Sequence, residues 1–415
     1  MSRALAITLV IAAAMTRVAS AQKATEWDTP AQMDATAPSP AHGLWPTVRH
    51  ECSRIFEQAS HVKGCVEALF TDPPAHVTGG FAVVPMSGAY TGLGGSPDLS
   101  SGAMTIQMPF AALWTWNRFW FLSDTAKWRP YSHRGLSEHE NYEAYGLARD
   151  LHSLTDYGEG PTSPRIAMGF GGREQVVGAS ARVPWYELLD LGFGAEFRHW
   201  RTTAGVRFPS IQTSLADGDA PGMSRPASYV HMKAVATLHD AKPRFYRDSL
   251  EISYEPYLNV GGGHYSFGEI EANMAAGLSS YRQGLRVRAR LVLTKSFAGD
   301  TVPFYYQPTL GQSDIDGRED LRGYDNYRFR GLHSALIQAD YAVAVLPRHD
   351  WLRVLAFGDA GKVAMRLRDL DARDIRGDYG AGLSLYFATV PRASVYLAHS
   401  PERKAILGGA LSISY

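Results

Sequence analysis

From about Phe81 to Tyr415 the chain alternates apolar and polar residues with a period of two. In "LEISYEPYL", Leu250, Ile252 and Tyr254 fall on one face, with Glu251, Ser253 and Glu255 on the other. "LRVRARLVL" sets Leu285, Val287, Ala289 and Leu291 against Arg286, Arg288 and Arg290. "IQADYAVAV", "YGAGLSLYF" and "LGGALSISY" carry the pattern to the last residue. A period of two belongs to strands, whose side chains point to alternate faces. No run downstream of the first residues is long and apolar enough for a transmembrane helix, so any passage through a membrane is by strands.

A soluble antiparallel sandwich alternates as well, and the connections separate the two cases. "WNR" (Trp116–Arg118), "YRQG" (Tyr281–Gly284), "LPRHDW" (Leu346–Trp351) and "TVPRA" (Thr389–Ala393) are short. "HRGLSEHENYEAYG", "ADGDAPGMSRPAS" and "RLRDLDARDIRGD" are long and polar. Short turns alternating with long loops are the asymmetry of an outer-membrane barrel, and about 16 strands of roughly 10 residues fit the available length. The exact number turns on how Gly158 to Asp190 is divided. The fold class expected is all-β, a transmembrane antiparallel β-barrel of residues 76–415 preceded by a short helical segment.

The N-terminal residues read differently. "MSRALAITLVIAAAMTRVASAQ" has Arg3, an apolar run from Ala4 to Met15, and a small-x-small site at Ala19-Ser20-Ala21. That is a secretory signal over residues 1–21, too short to span a bilayer. Residues 22–47, rich in Ala, Pro, Thr and Asp, make a flexible linker. Residues 48–75 carry a mixed apolar pattern of a few helical turns, ended by "TDPPAHVTGG". The two cysteines, Cys52 and Cys65, lie there, and in an exported chain such a pair forms a disulfide. It would close a loop of roughly 14 residues, worth up to about 3 kcal/mol.

With 41 basic and 41 acidic residues the formal net charge is zero, which argues against a nucleic-acid partner. No G-x-S-x-G, H-E-x-x-H, C-x-x-C or phosphate-binding glycine loop occurs, so neither catalytic residues, a metal site nor a cofactor is expected. The protein is not expected to be an enzyme.

"LRGYDNYRFRG" packs three arginines, three aromatics and two glycines into one connection, and "FGDAGKV" follows it in a strand pattern. The first resembles the sixth extracellular loop of the BamA/TamA and two-partner-secretion superfamily, the bacterial surface antigen barrels. Its Val/Leu-Arg-Gly-Phe/Tyr tetrad is matched by Leu321, Arg322, Gly323 and Tyr324. The second resembles that superfamily's Phe-x-Asp-x-Gly strand, matched by Phe357, Asp359 and Gly361. "VPFYYQPTLGQ" is similar to the preceding strand, with Gln312 where glycine is usual. The resemblance implies that the loop folds into the lumen and that Arg322 is locked by Asp359, with Asp378 as a second candidate acceptor. Arg328 and Arg330 are expected to be solvated on an exposed loop. The Arg286–Arg288–Arg290 ladder should line the lumen and pair with Glu251, Glu255 or Asp340.

The family also implies a thin seam between first and last strands that can open toward lipid. Gly88, Gly92, Gly94, Gly95, Gly408 and Gly409 would serve either such a seam or ordinary curvature. Leu411, Ile413 and Tyr415 end the chain as outer-membrane barrels commonly do, presenting a last strand to the barrel-assembly machinery. The implied location is the bacterial outer membrane, with its lipids as partners. The implied role is assisting insertion or translocation of proteins or lipids, or alternatively a channel or structural barrel. Family members receive clients through periplasmic POTRA modules. The roughly 50 residues between Ala21 and Pro73 are too few for one of ordinary size, so a separate periplasmic partner or client protein is expected.

Overall fold

The computed structural model describes the backbone of the strands from residue 77 onward, and side chains mainly over 141–409 apart from short connecting stretches. The expected signal, linker, helical turns and Cys52–Cys65 bridge lie outside the described residues, as do Ile413 and Tyr415. Six strands open the sheet: β1 (Val77–Val84), β2 (Gly88–Gly95), β3 (Asp98–Ser101), β4 (Met104–Gln107), β5 (Phe110–Thr115) and β6 (Trp120–Pro130). Long strands follow as β7 (Asn141–Asp156), β8 (Met168–Tyr186), β9 (Leu189–Ala204), β10 (Ala227–His239), β11 (Ser249–Asn259), β12 (Phe267–Ser279) and β13 (Gln283–Ser296). A two-residue pair, β14 (Thr309–Leu310) and β15 (Phe329–Arg330), sits within the next connection. The sheet then continues through β16 (His333–Ala344), β17 (Leu352–Ala364), β18 (Arg376–Phe387), β19 (Val390–His399) and β20 (Ile406–Leu411).

Every ladder of the large sheet is antiparallel and joins strands in a simple meander, with β13 pairing β16 across the inserted connection. β3 prolongs the register of β2, since Gly95↔Phe110 and Asp98↔Gln107 lie on one diagonal. Among the described residues β1 pairs only with β2 and β20 only with β19, and the sheet is not closed.

The faces are inverted relative to a water-soluble sheet. On β11, Ile252 and Tyr254 are 48% and 47% exposed, while Ser253 and Glu255 are buried. Phe193, Phe197, Leu383, Val395 and Leu397 are likewise exposed, and Glu174, Glu196, Arg353 and Asp359 are buried. Apolar side chains outside and charges inside are stable only where the outer medium is hydrocarbon and the inner charges find partners. Part of the interior is filled by apolar side chains. Phe170, Trp200 and Phe304 pack in one cluster, Tyr229, Tyr257 and Phe267 in another, and Leu310, Leu321, Tyr324, Phe329 and Val363 in a third.

Curvature follows from one guanidinium. Arg328 bonds both Ser163, in the β7–β8 connection, and Glu402, in the β19–β20 connection. Nine ladders separate β8 from β19, about 43 Å in a flat sheet at roughly 4.8 Å per strand. The sheet therefore curls until those connections meet over its concave face.

The six glycines expected at a seam are divided. Gly88, Gly92, Gly94 and Gly95 belong to β2, which is paired on both sides by β1 and β5, so they do not edge the sheet. The strand before them, "VTGGFAVV", is the first. Gly408 and Gly409 do lie in the last described strand, and a Cβ on Gly408 would meet the Tyr396 ring at 2.4 Å. That glycine makes room for a cross-strand aromatic. Leu411 ends β20.

Candidate functional site: the arginine loop in the lumen

The β13–β16 connection turns back over the concave face because its own residues bond there. Thr309↔Arg330 and Leu310↔Phe329 form the two-residue ladder that brings its limbs together. Gly311 adopts φ 116°, a conformation only glycine takes readily, and a Cβ there would lie 2.4 Å from the Asp325 carbonyl oxygen. Position 312, where the resembled motif has glycine, follows this turn and carries glutamine. Gln312 instead donates from Nε2 to the Arg322 carbonyl at 2.9 Å.

Arg322 is 2% exposed. Its Nε donates to Asp359 Oδ2 at 2.8 Å and its Nη2 to Asp359 Oδ1 at 2.6 Å, a two-point fork on one carboxylate. The Arg322 backbone N–H reaches the same Oδ2 at 3.2 Å. Nη2 also lies 2.7 Å from Asp340 Oδ1, and the guanidinium carbon sits 3.7 Å from the centroid of the Phe357 ring. Burial disfavours the cation, but the Asp359 and Asp340 carboxylates outweigh it and hold the Arg322 pKa above its ordinary value. The site keeps a fixed charge.

Phe357, Asp359 and Gly361 share the inward face of β17, as their spacing of two requires. A Cβ on Gly361 would meet Leu310 at 2.9 Å, so the loop packs directly on that strand. Gly323 is constrained likewise, with a hypothetical Cβ 2.6 Å from Asp378 Cβ and 3.1 Å from the His399 carbonyl oxygen. Leu321 and Tyr324 are buried, and Tyr324 packs edge-on to Phe329 and donates to the Gly377 carbonyl at 3.2 Å.

Two expectations need correction. Asp378 is not an acceptor for Arg322. It stands directly across the β17–β18 ladder from Asp359, and the Arg322 fork goes to Asp359 instead. The second acidic neighbour is Asp340 of β16. Arg328 and Arg330 are not solvated: they are 2% and 3% exposed. Arg328 places Nε and Nη2 on Glu402 at 2.6 and 2.9 Å, and reaches Ser163 Oγ and its carbonyl at 2.8 and 2.9 Å. Arg330 donates from Nε to Asp156 at 2.7 Å and from Nη1 to the Phe304 carbonyl.

The inner wall of β7–β13 adds a network that no motif announced. Glu196 is met by Arg198, His231 and Tyr145, and Glu174 by Arg149 and Arg198. Glu255 takes Lys233 at 2.7 Å, and Glu251 faces Arg182 at 3.3 Å. In the arginine ladder, Arg288 meets Asp340 at 3.2 Å and Arg290 meets Asp320 at 2.8 Å. The signal was present in strand parity, because these residues occupy inward positions, but parity does not say which pairs touch.

No family model matches the sequence, and no curated protein does. Solved structures do match in fold. BamA from Haemophilus ducreyi lacking POTRA domains 1–3 has 12% identity and a TM-score of 0.54, over 80% of this chain and 69% of that one. CdiB from Escherichia coli has 10% identity and a TM-score of 0.50, over 80% of this chain and 61% of that one. The fold is that of the BamA-type outer-membrane barrels.

Proposed function

We propose that the chain is an outer-membrane β-barrel that assists insertion or translocation of a protein or lipid, with its lumen held shut by the arginine loop. Of the eighteen segments of the large sheet, β3 continues β2 and β4 leads into β5, leaving sixteen passes of the wall. In this reading those passes close into a cylinder, β20 meeting β1. The likeness in fold to BamA and CdiB supports the membrane location and the class of activity.

The observation that carries the proposal is the burial of Arg322, Arg328 and Arg330 on three separate parts of the wall. A pore for steady diffusion gains nothing from a connection tied across it by bidentate ion pairs. A barrel that moves clients along its wall needs a lumen that stays sealed while the wall works. A periplasmic partner would deliver the client, in the role that POTRA modules fill elsewhere.

Purified protein in planar bilayers should give only small, flickering currents. In liposomes it should speed the folding of an eight-stranded barrel client added from urea, relative to protein-free liposomes. A stable open pore without any such acceleration would favour a channel instead, drawing on the lumenal cavity of about 730 Å³ between β7 and β12.

A further inference from the structure

On the outer wall the apolar side chains of β8, β9 and β10 stop at one level. Val177 and Phe197 are cross-strand partners, Val230 faces Phe197 from β10, and all three are exposed. One step toward the end covered by the arginine loop, Gln175 faces His199, whose Nδ1 lies 2.8 Å from Ser228 Oγ. One step further stand Arg173 and Arg201, again direct partners and both exposed. Four residues of strand, about 13 Å, separate the arginines from the last apolar pair.

Two like charges directly opposed on one face of a ladder destabilise it. Asp150 of β7 answers one of them, taking Arg173 Nε at 2.8 Å. Arg201 has no ion-pair partner among the described residues. Three exposed arginines in the connections, Arg165, Arg368 and Arg373, each lie within 4 Å of a carboxylate.

The geometry points to a binding site for a phosphorylated lipid headgroup, whose phosphate is held by Arg173 and Arg201 and whose acyl chains lie along Val177, Phe197 and Phe193. This rests on the reading above that the wall faces lipid. Planar guanidinium forks match phosphate oxygens, and a single anion between the two arginines removes their repulsion. His199, oriented by Ser228, sits on the path from headgroup to chains and can donate to an ester or glycerol oxygen. Free phosphate would satisfy the charges but leave the apolar contact unused, so the occupant is a lipid.

Native mass spectrometry of the full chain released from detergent, titrated with phosphatidic acid or phosphatidylcholine, tests this. The first phosphatidic acid should bind more tightly than phosphatidylcholine, and the preference should fall about fivefold for each arginine removed. Arg201→Gln loses no ion pair on folding, so it stays informative if Arg173→Gln lowers yield. Arg368→Gln should leave the preference intact. An equal preference in Arg201→Gln and the unaltered protein would overturn the site, as would full displacement of phosphatidic acid by inorganic phosphate. A chain that fails to insert into liposomes would sink the barrel reading itself. One that inserts but shows no headgroup preference would sink only this inference.

Discussion

Replacing Arg322 by alanine removes two hydrogen bonds to Asp359, a contact with Asp340 and a cation held 3.7 Å from the Phe357 ring centroid. What matters most is what remains: Asp359, with a side chain 0% exposed, keeps its place on β17 and loses its counter-charge. Stranding a buried carboxylate in this way costs about 3–5 kcal/mol. Lost cation–π attraction adds about 0.5–2 kcal/mol. Removing both partners is different, because an apolar pair of similar volume leaves no charge behind and can be nearly neutral. The Arg322→Met, Asp359→Leu double variant should therefore be much more stable than the sum of the two single losses, with a coupling of at least about 2 kcal/mol. Asp340 tempers the recovery, since it also faces the guanidinium. Urea unfolding in detergent, followed by heat-modifiable gel mobility and tryptophan fluorescence, measures all three variants. Additive losses within about 0.5 kcal/mol would refute the idea that the fork is a coupled lock rather than two independently tolerated residues.

Glu402→Ala should release the β19–β20 connection from Arg328 and raise its rate of proteolytic cutting, with the barrel still showing heat-modifiable mobility; an unchanged rate would mean that the pair does not hold the hairpin. Burial, together with the nearby Asp325 carboxylate, pushes the Tyr157 hydroxyl up to about 12 from an ordinary value of 10.0. The folded state thus favours the protonated phenol, so this stabilisation is complete below pH 10 and is lost as pH rises through about 12. Tyr157→Phe should flatten the fall of the urea midpoint across that window, and an identical slope in both proteins would remove Tyr157 as its cause.

The lock was legible because its two halves are written locally. The tetrad around Arg322 lies in one connection, and Phe357, Asp359 and Gly361 share a face by parity alone. Asp378, expected as a second acceptor for Arg322, has a different neighbour. The β17–β18 register sets it beside Asp359, and that register depends on the length and path of residues 365–375. Asp340 was visible only as a partner for the arginine ladder. For Arg328 and Arg330 the side-chain partners lie 74 to 174 residues away, in connections or at the last residue of a strand, where alternation carries little information. Burial of those charges could not be read before the sheet was known to curl.

That separation has a mechanical consequence. Arg322 ties the loop to β16 and β17, Arg328 ties it to the connections of β7–β8 and β19–β20, and Arg330 ties it to the end of β7. Expansion of the wall at any one of these points pulls on a carboxylate whose partner is anchored elsewhere, so a local opening is resisted by ion pairs at several strands. Glu402 stands out among these anchors, because β19–β20 ends the described sheet, and beyond its ladder to β18 the hairpin is tied to the loop only through Arg328–Glu402 and Arg403–Asp325 among the ion pairs of the described residues. Of the three arginine ties, the Arg328–Glu402 pair is therefore the one whose loss would loosen the end of the sheet, leaving Arg403–Asp325 to hold it while Arg322 and Arg330 keep the loop in place.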